Sequence, residues 1–134
     1  MYKNLQKIQV TQLDNGTIYL SISLNRIIDR EWKSCYQTAI QRNGSYVSLR
    51  TSGAPTINKV SFSGIFISTN PFPNNEITKN EAKIFLKELD EVVGIADCLF
   101  DSLQKQKEEK IKRDEEEKRK KEKEQKDLED FFNN

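Results

Sequence analysis

Thr17-Ile18-Tyr19-Leu20-Ser21-Ile22-Ser23-Leu24-Asn25 is the stretch on which the fold turns. Its even positions are all aliphatic and its odd positions polar or tyrosyl, the period of two that belongs to a strand with one buried face. Upstream, residues 7–13 alternate around Ile8 and Val10, and Asp14-Asn15-Gly16 between the two runs supplies a hairpin turn. Downstream, the pattern predicts a second hairpin: a strand over 32–41, a turn at Arg42-Asn43-Gly44-Ser45, and a strand over 46–51. Asn-Gly suits a type I′ turn, whose two central residues both need positive φ. Residues 57–68 are apolar and β-rich, with Gly64 expected at a bulge or bend. Four or five antiparallel strands follow from this count.

Further along, the period changes. Asn70-Pro71-Phe72-Pro73-Asn74-Asn75 reads as a loop by composition, and Thr78 with Glu81 has the spacing of a capping box. From there Ala82, Phe85, Leu86, Leu89, Val92, Val93, Ala96, Leu99, Phe100 and Leu103 recur at steps of three and four, one face of a helix that packs on the sheet. Gly94 within it costs about 1 kcal/mol against alanine, so a kink or a close contact is expected there. Strands first and helix second make an α+β domain. The stripe also offers more apolar width than a small sheet covers, which predicts a homodimer with these helices at the interface.

At 134 residues the chain has room for one domain, and its last third is a different material. Between residues 105 and 130 the only apolar side chains are Ile111 and Leu128. Glu115/Arg119, Glu116/Lys120 and Glu117/Lys121 stand four apart with the acid leading, the order that favours helix. A solvated single helix and plain disorder both fit, and no apolar seam exists for a coiled coil. The expected organisation is a strand-rich domain with its helix over 1–104, a charged arm over 105–124, and a docking peptide over 125–134.

That peptide is the sharpest motif. Gln125-Lys126-Asp127-Leu128-Glu129-Asp130-Phe131-Phe132 presents a glutamine, two free residues, an aliphatic residue, two free residues, then two adjacent aromatics. One turn of α- or 3₁₀-helix sets positions 128, 131 and 132 on one side as a three-pronged apolar plug. Gln125 offers a donor and an acceptor beside it. The segment resembles the clamp-binding box of proteins that dock on PCNA, the sliding clamp of archaea and eukaryotes, and matches all four specified positions. The resemblance implies a partner-binding role for Gln125, Leu128, Phe131 and Phe132, and an origin in an archaeon, a eukaryote or one of their viruses.

Charge is distributed unevenly. The formal net is +1, but residues 1–70 set eight basic side chains against three acids, a balance of +5. Residues 71–104 hold three basic and seven acidic side chains, a balance of −4. A basic, strand-rich half interleaved with aromatic rings suits single-stranded DNA, where cations follow phosphates and exposed rings stack on bases. Tyr19, Tyr46 and Arg50 fall opposite the aliphatic positions of their strands, and Arg26, Arg30, Lys33, Arg42 and Lys59 supply further charge. Trp32 and Tyr36 share a face with Ile40 and suit the core equally well. The layout resembles the Whirly and related coactivator-type single-strand binders, and also small replication proteins of crenarchaeal rod-shaped viruses. Both resemblances are of layout, and both imply a single-stranded-DNA-binding protein. A clamp-binding adaptor or inhibitor that never touches DNA is the alternative.

Other classes are disfavoured. The chain has no histidine, hence no imidazole base, and no glycine-rich phosphate loop. Asp90, Glu91, Asp97 and Asp101 are the one acidic set open to a Mg²⁺-dependent nuclease, but solvated acids on the outer side of a packed helix explain them more simply. A non-catalytic protein without cofactor or bound metal is expected. Cys35 and Cys98 form no CxxC pair and are expected as reduced core thiols. Neither a signal peptide nor a membrane span is legible, so the cytoplasm is the expected compartment (the host's, for a viral protein).

Overall fold

The computed structural model describes residues 2–43, 47 and 60–133. At its centre β2 (Thr17–Ser23) alternates as its sequence demands, with Ile18, Leu20 and Ile22 buried and Thr17, Tyr19, Ser21 and Ser23 half-buried. β1 (Lys7–Gln12) pairs antiparallel with it from Lys7↔Ser23 to Gln12↔Ile18. The connecting turn uses three residues. Gly16 N–H donates to the Leu13 carbonyl at 3.0 Å, Gly16 takes φ +83°, and Asn15 Oδ1 accepts from Thr17 N–H and Oγ1. A tight turn followed by one left-handed residue is the usual way to close a three-residue hairpin loop, and glycine takes that conformation without a Cβ clash.

β3 (Val60–Ser63) and β4 (Phe66–Thr69) form the next hairpin, joined through Gly64 at φ +63°. A glycine at the first position of a two-residue loop is what a type II′ turn asks for, so Gly64 makes a turn between two strands and not a bulge within one. β5 (Phe72–Pro73) pairs with Thr17 and Ile18 of β2, in a segment whose composition reads as loop. The five-stranded antiparallel sheet has the order β1-β2-β4-β3, with β5 beside β2. The α+β class expected from the sequence is the class observed.

The second hairpin is where the expectation fails. Residues 30–43 form a helix, α1 (Arg30–Asn43), and not a strand and turn. Asp29 caps it, its Oδ1 accepting from Trp32 N–H at 2.8 Å, and Glu31 lies in the first turn where the helix dipole favours an acid. Its buried set is Trp32, Cys35, Tyr36 and Ala39, the i, i+3, i+4, i+7 spacing of a helix face. The strand expected over 46–51 lies outside the described residues, apart from Val47, which is buried and helical.

The last element, α2 (Glu76–Asn133), starts one turn earlier than the Thr78/Glu81 spacing suggests. Asn75 is the cap: its Oδ1 accepts from Thr78 N–H at 3.0 Å, and Asn75 N–H donates back to Thr78 Oγ1. Thr78 is buried, and its hydroxyl also donates to the Pro73 carbonyl, tying the cap to β5.

The chain divides into two compact units, Met1–Phe100 and Asp101–Asn134, placing the boundary slightly before the one expected at residue 104. In the first unit both helices lie on one face of the sheet. Directly paired residues point to the same side, so Ile8, Ile22, Ile67 and Phe62 form one row across the strands. Phe62 meets Tyr36 edge-on at 5.1 Å, and Trp32 stacks on Tyr36 at 5.4 Å. From α2, Phe85, Leu89, Val92, Val93 and Ala96 are fully enclosed. A fully buried side chain of this size contributes about 1.5–3 kcal/mol, so this stripe is a main source of the unit's stability. The domain itself thus takes up most of the apolar width that suggested a helix-mediated homodimer. Of the remainder, Leu99 is half-exposed and Phe100 lies under the Arg26 guanidinium at 5.4 Å.

The segment before β1 is pinned to α2. Lys3 N–H and Asn4 N–H donate to the Asp90 carboxylate, and Asn4 Nδ2 donates to the Asp90 carbonyl at 2.9 Å. Gly94 makes room for this, since a Cβ there would stand 2.6 Å from Asn4 Nδ2. The glycine serves a close contact, one of the two expectations for it.

The second unit is helix from Asp101 to Asn133, about 50 Å at 1.5 Å per residue, and residues 105–133 are all exposed. Of the two states that the arm's composition allows, this one is helical.

Candidate binding surfaces

Within the second unit, the four motif residues share one side of a helix. At 100° per residue, Gln125, Leu128, Phe131 and Phe132 fall within an arc of about 120°. Leu128 is 55% exposed, Phe131 75% and Phe132 79%. The two rings touch edge to face at 5.3 Å, so the plug is partly organised before any partner arrives. Gln125 Nε2 donates to Glu129 Oε1 at 3.1 Å, and Asn133 Nδ2 donates to the Glu129 carbonyl at 2.8 Å. The glutamine bond is exposed and spans one helical turn, so releasing it to a partner costs little. Asp127, Glu129 and Asp130 flank the plug with negative charge.

The residues singled out for nucleic acid do not gather. Tyr19 is half-buried on the sheet face away from the helices, directly across from Thr11 of β1. That face is mostly hydroxyl-bearing: Thr11, Thr17, Ser21, Ser23, Ser61, Ser63 and Ser68 all belong to it by register. Lys7 is its one strand cation among the described residues. Arg26, Arg30, Arg42 and Lys33 lie on the helical side. Arg26 Nε meets Asp97 Oδ1 at 2.8 Å, both side chains about a quarter exposed, and serves the fold more than a ligand. Arg30 and Arg42 are exposed at the two ends of α1, and Lys33 Nζ lies 5.4 Å from the centre of the Phe62 ring. Tyr46, Arg50 and Lys59 lie outside the described residues. Periodicity assigns a residue to a face of its own element, but not the layer that covers that face.

Two of the four acids singled out on α2, Asp90 and Asp97, have structural work, while Glu91 and Asp101 are exposed as expected. Asp97 Oδ1 accepts from Trp32 Nε1 at 2.7 Å as well as from Arg26, satisfying the indole donor of a fully buried tryptophan. Asp90 holds the two backbone donors of Lys3 and Asn4. Sequence reasoning missed both roles, because each partner lies more than 60 positions away. Among the described residues no three of His, Cys, Asp and Glu come together as a metal site.

The two cysteines differ. Cys35 is buried on α1, its thiol pushed up by burial and by the nearby Glu31 and Asp29 carboxylates. Cys98 is exposed, contrary to its expected core position, because it falls on the outer side of α2. The Tyr36 hydroxyl is held protonated well above the ordinary phenol range by burial, reinforced by Glu88.

One further concavity belongs to the first unit. Between the helix-side face of β1 and β2 and the first turns of α2 lies an apolar groove of about 580 Å³, lined by Ile8, Val10, Leu20, Phe72, Ala82 and Leu86 among others.

No protein-family model matches the sequence, and neither the curated proteins nor the solved structures contain a match to it. No helix among the described residues is long and apolar enough to cross a membrane.

Proposed function

We propose that this chain is a non-catalytic accessory protein of DNA replication or repair, acting in the cytoplasm. Residues 125–132 dock on a PCNA-type sliding clamp, and the first unit holds single-stranded DNA. The observation that carries the reading is the plug itself. Two phenylalanines and a leucine stand exposed on one helix face after more than twenty charged or polar residues, in the spacing that clamp-docking peptides use. Exposed aromatics of that kind are costly to solvate and are suited to burial by a partner.

The DNA half rests on charge. The +5 balance of residues 1–70 favours a polyanion, and Arg30, Lys33 and Arg42 place described cations along α1. Tyr19 and the exposed Phe66, which pairs with Ser23 and Ser63, are described rings on the open sheet face. Because Tyr19 and these cations occupy opposite sides of the sheet, a strand stacked on Tyr19 meets Lys7 first and the α1 cations only by wrapping an edge. That separation favours the adaptor as the second reading, in which the clamp is the partner and DNA is not.

One experiment with two arms tests both. Immobilised archaeal or eukaryotic clamp should retain the full chain, and replacing Phe131 and Phe132 by alanine should abolish retention, since a central aromatic anchor is worth at least about 2 kcal/mol, or thirtyfold. Retention of the double variant at the level of the original chain refutes clamp docking by this segment. In the second arm, a gel shift at low and high salt should show preference for single strands over duplex, weakened by salt and by Arg30→Ala with Arg42→Ala. No shift with either form at low salt leaves the adaptor.

A further inference from the structure

The sheet's helix-side face is unevenly covered. Leu20 is buried, yet its direct partner on β1, Val10, is 59% exposed. β1 stands at the end of the strand order and has no second neighbour among the described residues. The groove left between β1 and α2 is therefore apolar on its floor, from Ile8, Val10 and Leu20, and on its wall, from Ala82 and Leu86. Among the described residues its charged lining is Lys79 and Lys83, one turn apart on α2, with no acid. Lys79 Nζ lies 3.8 Å from Glu76, an exposed pair of little energetic weight.

An apolar groove edged by two lysines suits an apolar ligand flanked by carboxylates. The chain carries such a ligand in Leu128, Phe131 and Phe132, interspersed with Asp127, Glu129 and Asp130. We infer that the groove of one molecule receives the 125–132 segment of a second copy, the three apolar side chains entering it and the acids facing Lys79 and Lys83. Groove and plug are different surfaces, so the contact is heterologous. Copies add head to tail, and the assembly grows with concentration unless a ring closes. This deepens the clamp-docking reading, resting on the same plug but on none of its clamp chemistry. A plug seated in another copy is withheld from the clamp, so self-association and clamp docking compete.

The test uses the full chain carrying Phe131→Ala and Phe132→Ala as receptor, which frees its groove of competition. The probe is a fluorescein-labelled synthetic peptide of residues 121–134. Fluorescence anisotropy should show saturable binding that weakens as salt rises. Binding should fall about tenfold or more with Val10→Asp in the receptor, and similarly when the peptide lacks both phenylalanines. Val10 is largely exposed, so the substitution should leave the fold intact, which circular dichroism checks; Lys83→Glu is the second groove variant. Absence of saturable binding at millimolar peptide, or binding unchanged by both groove variants, overturns the inference. Val10→Asp in the otherwise unaltered chain should not reduce retention on the clamp. A chain that binds the peptide in its groove but never binds a clamp therefore refutes the proposed function and upholds this inference.

Discussion

Between Ala82 and Ala96, α2 places Ala82, Phe85, Leu86, Leu89, Val92, Val93 and Ala96 out of solvent, whereas from residue 105 to 133 it has no buried or half-buried side chain at all. The backbone pattern is the same in both stretches, but the sources of stability differ. In the first, helix formation is coupled to a core, and the amphipathic face does most of the work. In the second, helix rests on intrinsic propensity and on acid-first pairs such as Glu115/Arg119, each worth a few tenths of a kcal/mol. A helix of the first kind melts with its domain; one of the second kind melts by itself, residue by residue, without disturbing anything else.

The largest test of that contrast is truncation. Phe85→Ala should cost about 3–5 kcal/mol in urea unfolding of the full chain, because it empties an enclosed site. Ile111→Ala, at an exposed position, should stay within about 0.5 kcal/mol. Comparable losses at the two positions would mean that the second stretch is packed after all.

Next in size is Asp97→Ala, which leaves the Trp32 indole N–H without its acceptor inside the protein and strips Arg26 of its partner. A loss of about 1–3 kcal/mol is expected, again by urea unfolding. Glu129→Ala, which breaks only the exposed bond from Gln125, should change stability by less than about 0.5 kcal/mol. A silent Asp97→Ala would show that this carboxylate is as solvated as those of the second stretch.

The smallest effect sharpens the comparison at one residue. In a solvent-facing helix, Gly→Ala gains about 1 kcal/mol. Gly94→Ala should gain nothing, because its methyl group would press on the Asn4 side chain. In an Asn4→Ala background the same substitution should recover a gain of up to about 1 kcal/mol. Equal effects in both backgrounds would remove the close approach as the reason for glycine.

How legible this molecule is depends on which interactions set each element. β1 and β2 could be read because each has one open and one covered face, which writes a period of two into the side chains. α1 could not, because Trp32, Tyr36 and Ile40 stand four apart, a spacing that a strand face and a helix face share. The deciding residues were Cys35 and Ala39, buried at odd positions, which no half-buried strand beside those even ones would enclose. Asp29 as an N-cap was the local signal passed over. β5 was out of reach, since two residues carry no period and Pro73 argues against a strand except at an edge. Of the candidate sites, the plug is carried by contiguous residues and was visible as a motif. The basic set depended on which helix covers which face, and that is decided by contacts such as Trp32 with Asp97, 65 positions apart.

The pin between the start of the chain and α2 bears on how the protein is made. Lys3 and Asn4 leave the ribosome early, and the β1–β2 hairpin can pair soon after them, but Asp90 and Gly94 emerge much later. Until they do, β1 is an edge strand with its leading segment untethered, open to pairing with neighbouring nascent chains.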